Sequence, residues 1–122
     1  MPHSPKLTFP KSHRLHGKLA FAAVFEAKTR DTRGPLVVYA RPNDLGHPRL
    51  GLSVSRAVGT APKRNRIKRL LRESFRLMQH DLPSGYDIVI VIRPHKPMIL
   101  AEYQRALSGA MVKLHRRFQS EQ

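Results

Sequence analysis

The chain contains no cysteine, only 8 Asp and Glu residues against 23 Lys and Arg, and no long apolar run. Without cysteine there can be no disulfide, no thiolate nucleophile and no zinc site built on sulfur, a usage that fits a cytoplasmic protein. A membrane-spanning helix needs about 18 consecutive apolar residues, and the N-terminus lacks the apolar centre of a signal peptide. The expectation is a protein with no membrane partner. The carboxylates Glu26, Asp31, Asp44, Glu73, Asp81, Asp87, Glu102 and Glu121 are scattered, with no pair at the spacing of an acid–base dyad. The 7 histidines show no metal-ligand spacing, and His13 and His16 stand in a basic segment. A P-loop and a Gly-x-Gly-x-x-Gly loop are both missing. No catalytic residue, metal ligand or stably bound cofactor is therefore expected in the protein itself. If it belongs to an enzyme, the chemistry is supplied elsewhere.

What is present is positive charge and periodic apolar sequence. A chain of 122 residues suits one domain with a modest core. The net charge of +15 suits a polyanionic partner and would repel itself if left unneutralised. The charge peaks at residues 63–76, where seven of fourteen positions are Lys or Arg and Glu73 alone opposes them. Ile67, Leu70, Leu71, Ser74 and Met78 recur there with the period of one buried helix face. Asn65, Lys68, Arg69, Arg72 and Arg76 fall within an arc of roughly 100° on another face. Like charges at i, i+4, such as Lys68, Arg72 and Arg76, destabilise a helix; they make sense against an anion.

Taken in order, Pro2, Pro5 and Pro10 among basic residues make 1–13 a flexible basic arm. Residues 17–27 read as a short helix whose apolar face carries Leu19, Phe21, Val24 and Phe25. Core packing is the ordinary role of Phe21 and Phe25; a functional role requires a ring edge left open to bases. Residues 28–35 read as a polar turn ending in Gly34-Pro35. Leu36–Ala40 and Leu50–Ser55 read as strands that should pair as an antiparallel hairpin across the breakers at 42–48. Leu50, Leu52 and Val54 would face the core and leave Gly51, Ser53 and Ser55 on an open face. A helix from about 61 to 79 follows, with Pro62 in its first turn. Tyr86–Ile92 is a central strand covered on both sides. The last helix spans about 99–118, burying Tyr103, Leu107, Ala110, Leu114 and Phe118, with a flexible tail at 119–122. Together these segments make an α+β fold of order α-β-β-(β)-α-β-α, a small two-layer sandwich on one mostly antiparallel sheet.

The stretch Arg64-Asn65-Arg66-Ile67-Lys68-Arg69-Leu70-Leu71-Arg72-Glu73-Ser74-Phe75-Arg76 resembles the signature helix of the bacterial ribonuclease P protein subunit. Gly51-Leu52-Ser53-Val54-Ser55-Arg56 is similar to that family's preceding strand, Phe21 and Val24-Phe25 to its first-helix motif, and Tyr39 to a strand aromatic. Agreement in spacing runs from about Arg14 to Ile92. The resemblance implies a mixed four-stranded sheet with a left-handed βαβ crossover, a ribosomal-protein-like fold. It also implies one protein per catalytic RNA in a ribonucleoprotein endonuclease that removes the 5′ leader of precursor tRNA, with Mg²⁺ required through the RNA. Carried over by position, Lys63, Arg64, Asn65, Arg66, Lys68, Arg69, Arg72 and Arg76 would contact the catalytic RNA. Arg14, Phe21, Phe25, Tyr39, Ser53 and Arg56 would contact the single-stranded leader. Two other classes fit the sequence less well. A structural ribosomal RNA binder has no use for an apolar-aromatic first helix beside a small-residue strand. A helix-turn-helix DNA binder lacks a second helix close before the basic one.

Overall fold

The near-continuous β-branched run Tyr86–Ile92 forms the central strand of the fold, as its composition leads one to expect. A computed structural model of the chain describes residues 9–120. Its elements are α1 (Lys18–Glu26), β1 (Arg30–Arg33), β2 (Leu36–Pro42), β3 (Arg49–Val54), α2 (Ala61–Met78), β4 (Tyr86–Ile92) and α3 (Leu100–Ser120). The sheet has four strands in the order β1-β2-β4-β3. β1 and β2 are antiparallel, as are β2 and β4, while β3 and β4 are parallel. The result is a mixed α+β fold.

Two local expectations fail. Strands β2 and β3 do not form a hairpin, because β4 lies between them and pairs with both. Ile88, Val89 and Ile90 are fully buried there, so the most apolar strand takes the central position. The segment 28–35 is not merely a turn, since Arg30–Arg33 form the edge strand β1. Its inward residue is Asp31, whose carboxylate accepts from Arg33 Nε at 2.5 Å and lies 3.4 Å from Lys113 Nζ on α3. A strand whose buried residue is a carboxylate has no apolar alternation to announce it.

The alternation of β-strands sends side chains to two faces. On one face, Leu36, Val38, Ala40, Leu50, Ile88, Ile90 and Ile92 pack beneath α2 and α3. Ile67, Leu71, Ser74 and Phe75 are the buried residues of α2. Leu70 and Met78 are only partly buried, and Phe75 extends the face beyond the five positions that the period marks out. Ser74 satisfies its hydroxyl on the Leu70 carbonyl at 2.8 Å. From α3, Tyr103, Leu107, Ala110, Met111 and Leu114 are buried and Phe118 packs partly against them. The other face carries a smaller cluster of Leu15, Val24 and Val89, with Phe21, Phe25 and Tyr39 packed around it. This cluster seats α1 across the sheet. Leu19 is not part of its apolar face, being 88% exposed.

Part of the N-terminal arm is built into this fold. Lys11–His13 form a 3-10 turn, Phe9 packs on Phe75 with ring centroids 5.3 Å apart, and Arg14 bridges to Leu50 beside β3. The rest of the arm, residues 1–8, and Glu121 and Gln122 of the tail lie outside the described residues. Gln119 and Ser120 close α3.

Candidate nucleic-acid interface

Thr60 caps α2, its Oγ1 accepting from the Lys63 N–H at 3.4 Å, and Pro62 occupies the first turn. The buried stripe of α2 then turns the cationic face outward. Asn65, Arg69, Arg72 and Arg76 line one concavity of about 430 Å³ with Phe9, Arg14 and Glu73. Arg76 is held by Glu73, its Nε donating to Oε2 at 3.0 Å, and that contact holds the Glu73 carboxyl below its ordinary pKa. One carboxylate thus relieves part of the like-charge crowding.

The remaining basic residues of α2 are not in this concavity. Lys68 is half-buried beside it. Lys63 folds its stem over Gly59, where a side-chain Cβ would meet Lys63 Cδ at 2.6 Å. Arg66 is exposed on another flank, close enough to Tyr103 for its charge to act on that hydroxyl. Arg64 is half-buried, with its Nε lacking any hydrogen-bond partner among the described residues. Eight residues assigned to one role in the sequence therefore occupy at least two sides of α2.

On the opposite face of the sheet, α1 places its aromatics in a row. Phe21 lies directly on Gly51, where an added Cβ would sit 2.5 Å from the ring's Cζ. Only glycine admits this approach, so Gly51 is covered rather than part of an open floor. Phe25 meets Tyr39 edge-on at 4.9 Å. All three rings are half-buried, which leaves each a margin exposed. Ser53 is half-buried on the same strand face as Gly51, and Arg56 is exposed in the 3-10 turn that follows β3.

The two surfaces meet at the edge of β3. A second concavity of about 160 Å³ is lined by Phe9, Arg14, Leu15, His16, Phe21, Leu50, Gly51, Leu52 and Arg72. Phe9, Arg14 and Arg72 line both hollows. The Arg14 guanidinium lies 4.8 Å from the Phe9 ring centroid, a cation–π contact that holds the junction. Sequence reasoning missed Phe9. An isolated aromatic in a proline-rich basic arm was the one available signal.

Acid–base chemistry is poorly served here. Asp31, Glu73 and Asp87 are each tied to arginine. Among the described residues no group of three or more His, Cys, Asp or Glu is arranged to hold a metal ion, and none of their helices is long and apolar enough to cross a membrane. Guanidinium forks are chemically suited to bracketing phosphates, and half-buried aromatic residues to stacking on bases.

A small basic α+β protein with a cation-lined helix, joined around a sheet edge to an aromatic groove, is the class that this geometry defines. Residues 9–115 match the model of the Ribonuclease P family. The chain is 46% identical over 114 residues to the ribonuclease P protein component of Photorhabdus laumondii, covering 92% of each chain. It is also 46% identical over 110 residues to that of Methylococcus capsulatus, covering 89% of this chain and 86% of the relative. Among solved structures, the Staphylococcus aureus RNase P protein superposes with a TM-score of 0.73 at 31% identity, over 86% of this chain and 96% of that one. The Thermotoga maritima RNase P protein gives 0.63 at 31% identity, over 71% and 84%. The chain belongs to the ribonuclease P protein family, the protein component of a ribonucleoprotein endonuclease of tRNA processing.

Proposed function

We propose that this protein docks on the catalytic RNA of ribonuclease P through α2 and holds the 5′ leader of precursor tRNA in the groove beside α1, while the RNA performs the cleavage. The observation that carries this reading is that the two hollows adjoin at the β3 edge, with Phe9, Arg14 and Arg72 lining both. By this reading a strand leaving the α2 surface reaches Phe21 past those three side chains. Lys63, Arg64, Asn65, Arg66, Lys68, Arg69, Arg72 and Arg76 face the catalytic RNA; Arg14, Phe21, Phe25, Tyr39, Ser53 and Arg56 face the leader. The unpartnered Arg64 Nε supports the first assignment. A buried donor left unmade costs about 1–3 kcal/mol, and a rotamer change toward a phosphate recovers it.

The residues present do not suit Mg²⁺, which prefers oxygen ligands; the RNA-facing hollow offers guanidinium groups, and its Glu73 is engaged by Arg76. The reading therefore leaves the metal to the RNA. One protein per RNA, acting in the cytoplasm, completes it.

Reconstitution tests the reading. The protein alone should cleave nothing, and with its cognate RNA it should raise leader cleavage at low magnesium by screening phosphate repulsion. No enhancement under those conditions would reject it. Replacing Arg69 and Arg72 together by alanine should weaken binding to the catalytic RNA and flatten its salt dependence. The slope of log K against log salt should fall by about one for each phosphate no longer neutralised. An unchanged slope would remove α2 from the docking surface.

A further inference from the structure

The strand register draws a straight row across the face that α1 covers. Arg30 on β1 stands opposite Tyr39 on β2, Tyr39 opposite Val89 on β4, and Val89 opposite Gly51 on β3. At the spacing of paired strands the row is about 14 Å long. Phe21 covers its Gly51 end, and Phe25 meets Tyr39 near the other. Beyond Tyr39 lies Arg30, exposed on the edge strand. Its Nη1 donates to the Tyr39 hydroxyl at 3.1 Å, and its Cζ lies 5.9 Å from the ring centroid. The backbone at Arg30 is pinned as well, because Arg117 Nη1 from the last turn of α3 donates to its carbonyl at 2.9 Å. An exposed arginine is ordinarily mobile; this one is held at both side chain and main chain.

A second observation points to the same end of α1. Lys28 has φ 56°, the one positive value outside glycine among the described residues. It follows the helix cap Ala27, where glycine is the favoured residue. An L-residue there costs about 1–2 kcal/mol. A lysine there interacts favourably with the negative end of the α1 dipole and adds a second cation two positions before Arg30.

We infer that Arg30, seated on Tyr39, is a specificity-determining contact at the β1 end of the groove, taking the leader nucleotide beyond the one that reaches Tyr39. The inference rests on the leader-groove reading above. The chemistry it recognises is single-stranded RNA, with the guanidinium plane stacked on a base and its remaining N–H groups turned to the base or its phosphate. If the leader enters at the β3 edge beside α2, Arg30 is the last contact on the path, and only longer leaders reach it.

A leader-length series with the reconstituted holoenzyme tests this. Arg30→Ala should weaken binding about three- to tenfold for precursors with long leaders. It should leave the shortest leader, mature tRNA and the affinity for catalytic RNA unchanged. Arg30→Lys should recover only part of the loss, since lysine keeps the charge without the plane. Tyr39→Phe removes the arginine's partner and keeps the ring, so its long-leader loss should not add to that of Arg30→Ala. An equal loss at every length, or none at any length, would overturn the inference. Phe21→Ala separates the two levels. If it spares leader binding, the groove reading itself fails; if it impairs binding while Arg30→Ala does not, only the Arg30 contact fails.

Discussion

Phe21→Ala is expected to weaken binding of precursor tRNA by about 1–3 kcal/mol, some five- to 150-fold, and to leave mature tRNA unaffected. The magnitude is that of one lost base–aromatic stack. The ring is positioned for it by an unusual support, since Phe21 lies against the bare backbone of Gly51. Phe21→Leu should keep much of the packing in the cluster of Leu15, Val24 and Val89 while losing the stack. Gly51→Ala should push the ring outward, because its Cβ would sit 2.5 Å from Cζ, well inside contact distance. Equilibrium binding to matched precursor and mature tRNA separates these effects, and thermal unfolding of the free proteins reports the packing component. Equal losses with both RNAs would remove Phe21 from the leader groove.

Asp87→Ala should destabilise the protein by about 3 kcal/mol, lowering the melting temperature by on the order of 10 °C. Asp87 is buried on the central strand. Its carboxylate accepts from Arg49 Nε at 2.7 Å and from Arg49 Nη2 at 2.6 Å, and from Asn43 Nδ2 at 2.7 Å. Truncation leaves the arginine's charge half-buried and unpaired, and it also loosens β3 from β4 at Arg49↔Asp87. The pair predicts a pH dependence too. Burial alone would raise the Asp87 carboxyl, but donation from Arg49 and Asn43, with the charges of Arg49 and Arg41, outweighs it and holds the group below its ordinary value. Asp31 is lowered likewise: burial raises it, and Arg33 and Lys113 more than compensate. A carboxyl depressed in the folded state stabilises the fold above its unfolded pKa, near 4. That contribution is lost as pH falls through the lower folded value. Stability should hold from neutral pH to about 4 and drop below it. The drop should be shallower in Asp87→Asn, which no longer titrates. Thermal melts across this range check both statements, and parallel profiles for the two proteins would exclude Asp87 as a source of the acid sensitivity.

Legibility differed from element to element, and the differences have physical causes. The segment Tyr86–Ile92 announces itself because a strand buried on both faces must be apolar throughout. Residues 61–78 do so because one helix stripe is apolar and the opposite face is charged, a pattern no strand can carry. The resemblance to the ribonuclease P family also lies in contiguous residues, so it too was readable before any fold. Strand β1 was not. Its Arg-Asp-Thr-Arg sequence becomes a strand only through its pairing with β2 and its contacts with α3, from Asp31 to Lys113 and from Arg33 to the Gly109 carbonyl. Nor was the partner of β3. Leu36–Ala40 and Leu50–Ser55 have the same local character whether they pair with each other or with β4. The preference for β4 comes from burying its valines and isoleucines at the centre.

Residue chemistry thus settled the α2 face and the central strand, since charge and period are local properties. Folding settled how those parts meet. Phe9, Arg14 and Arg72 are 63 positions apart at their extremes, yet together they line both hollows at the β3 edge. Arg30 gains its place beside Tyr39 only from the β1–β2 register. Contacts between distant segments depend on which surfaces are buried together, and no spacing along the chain encodes that choice.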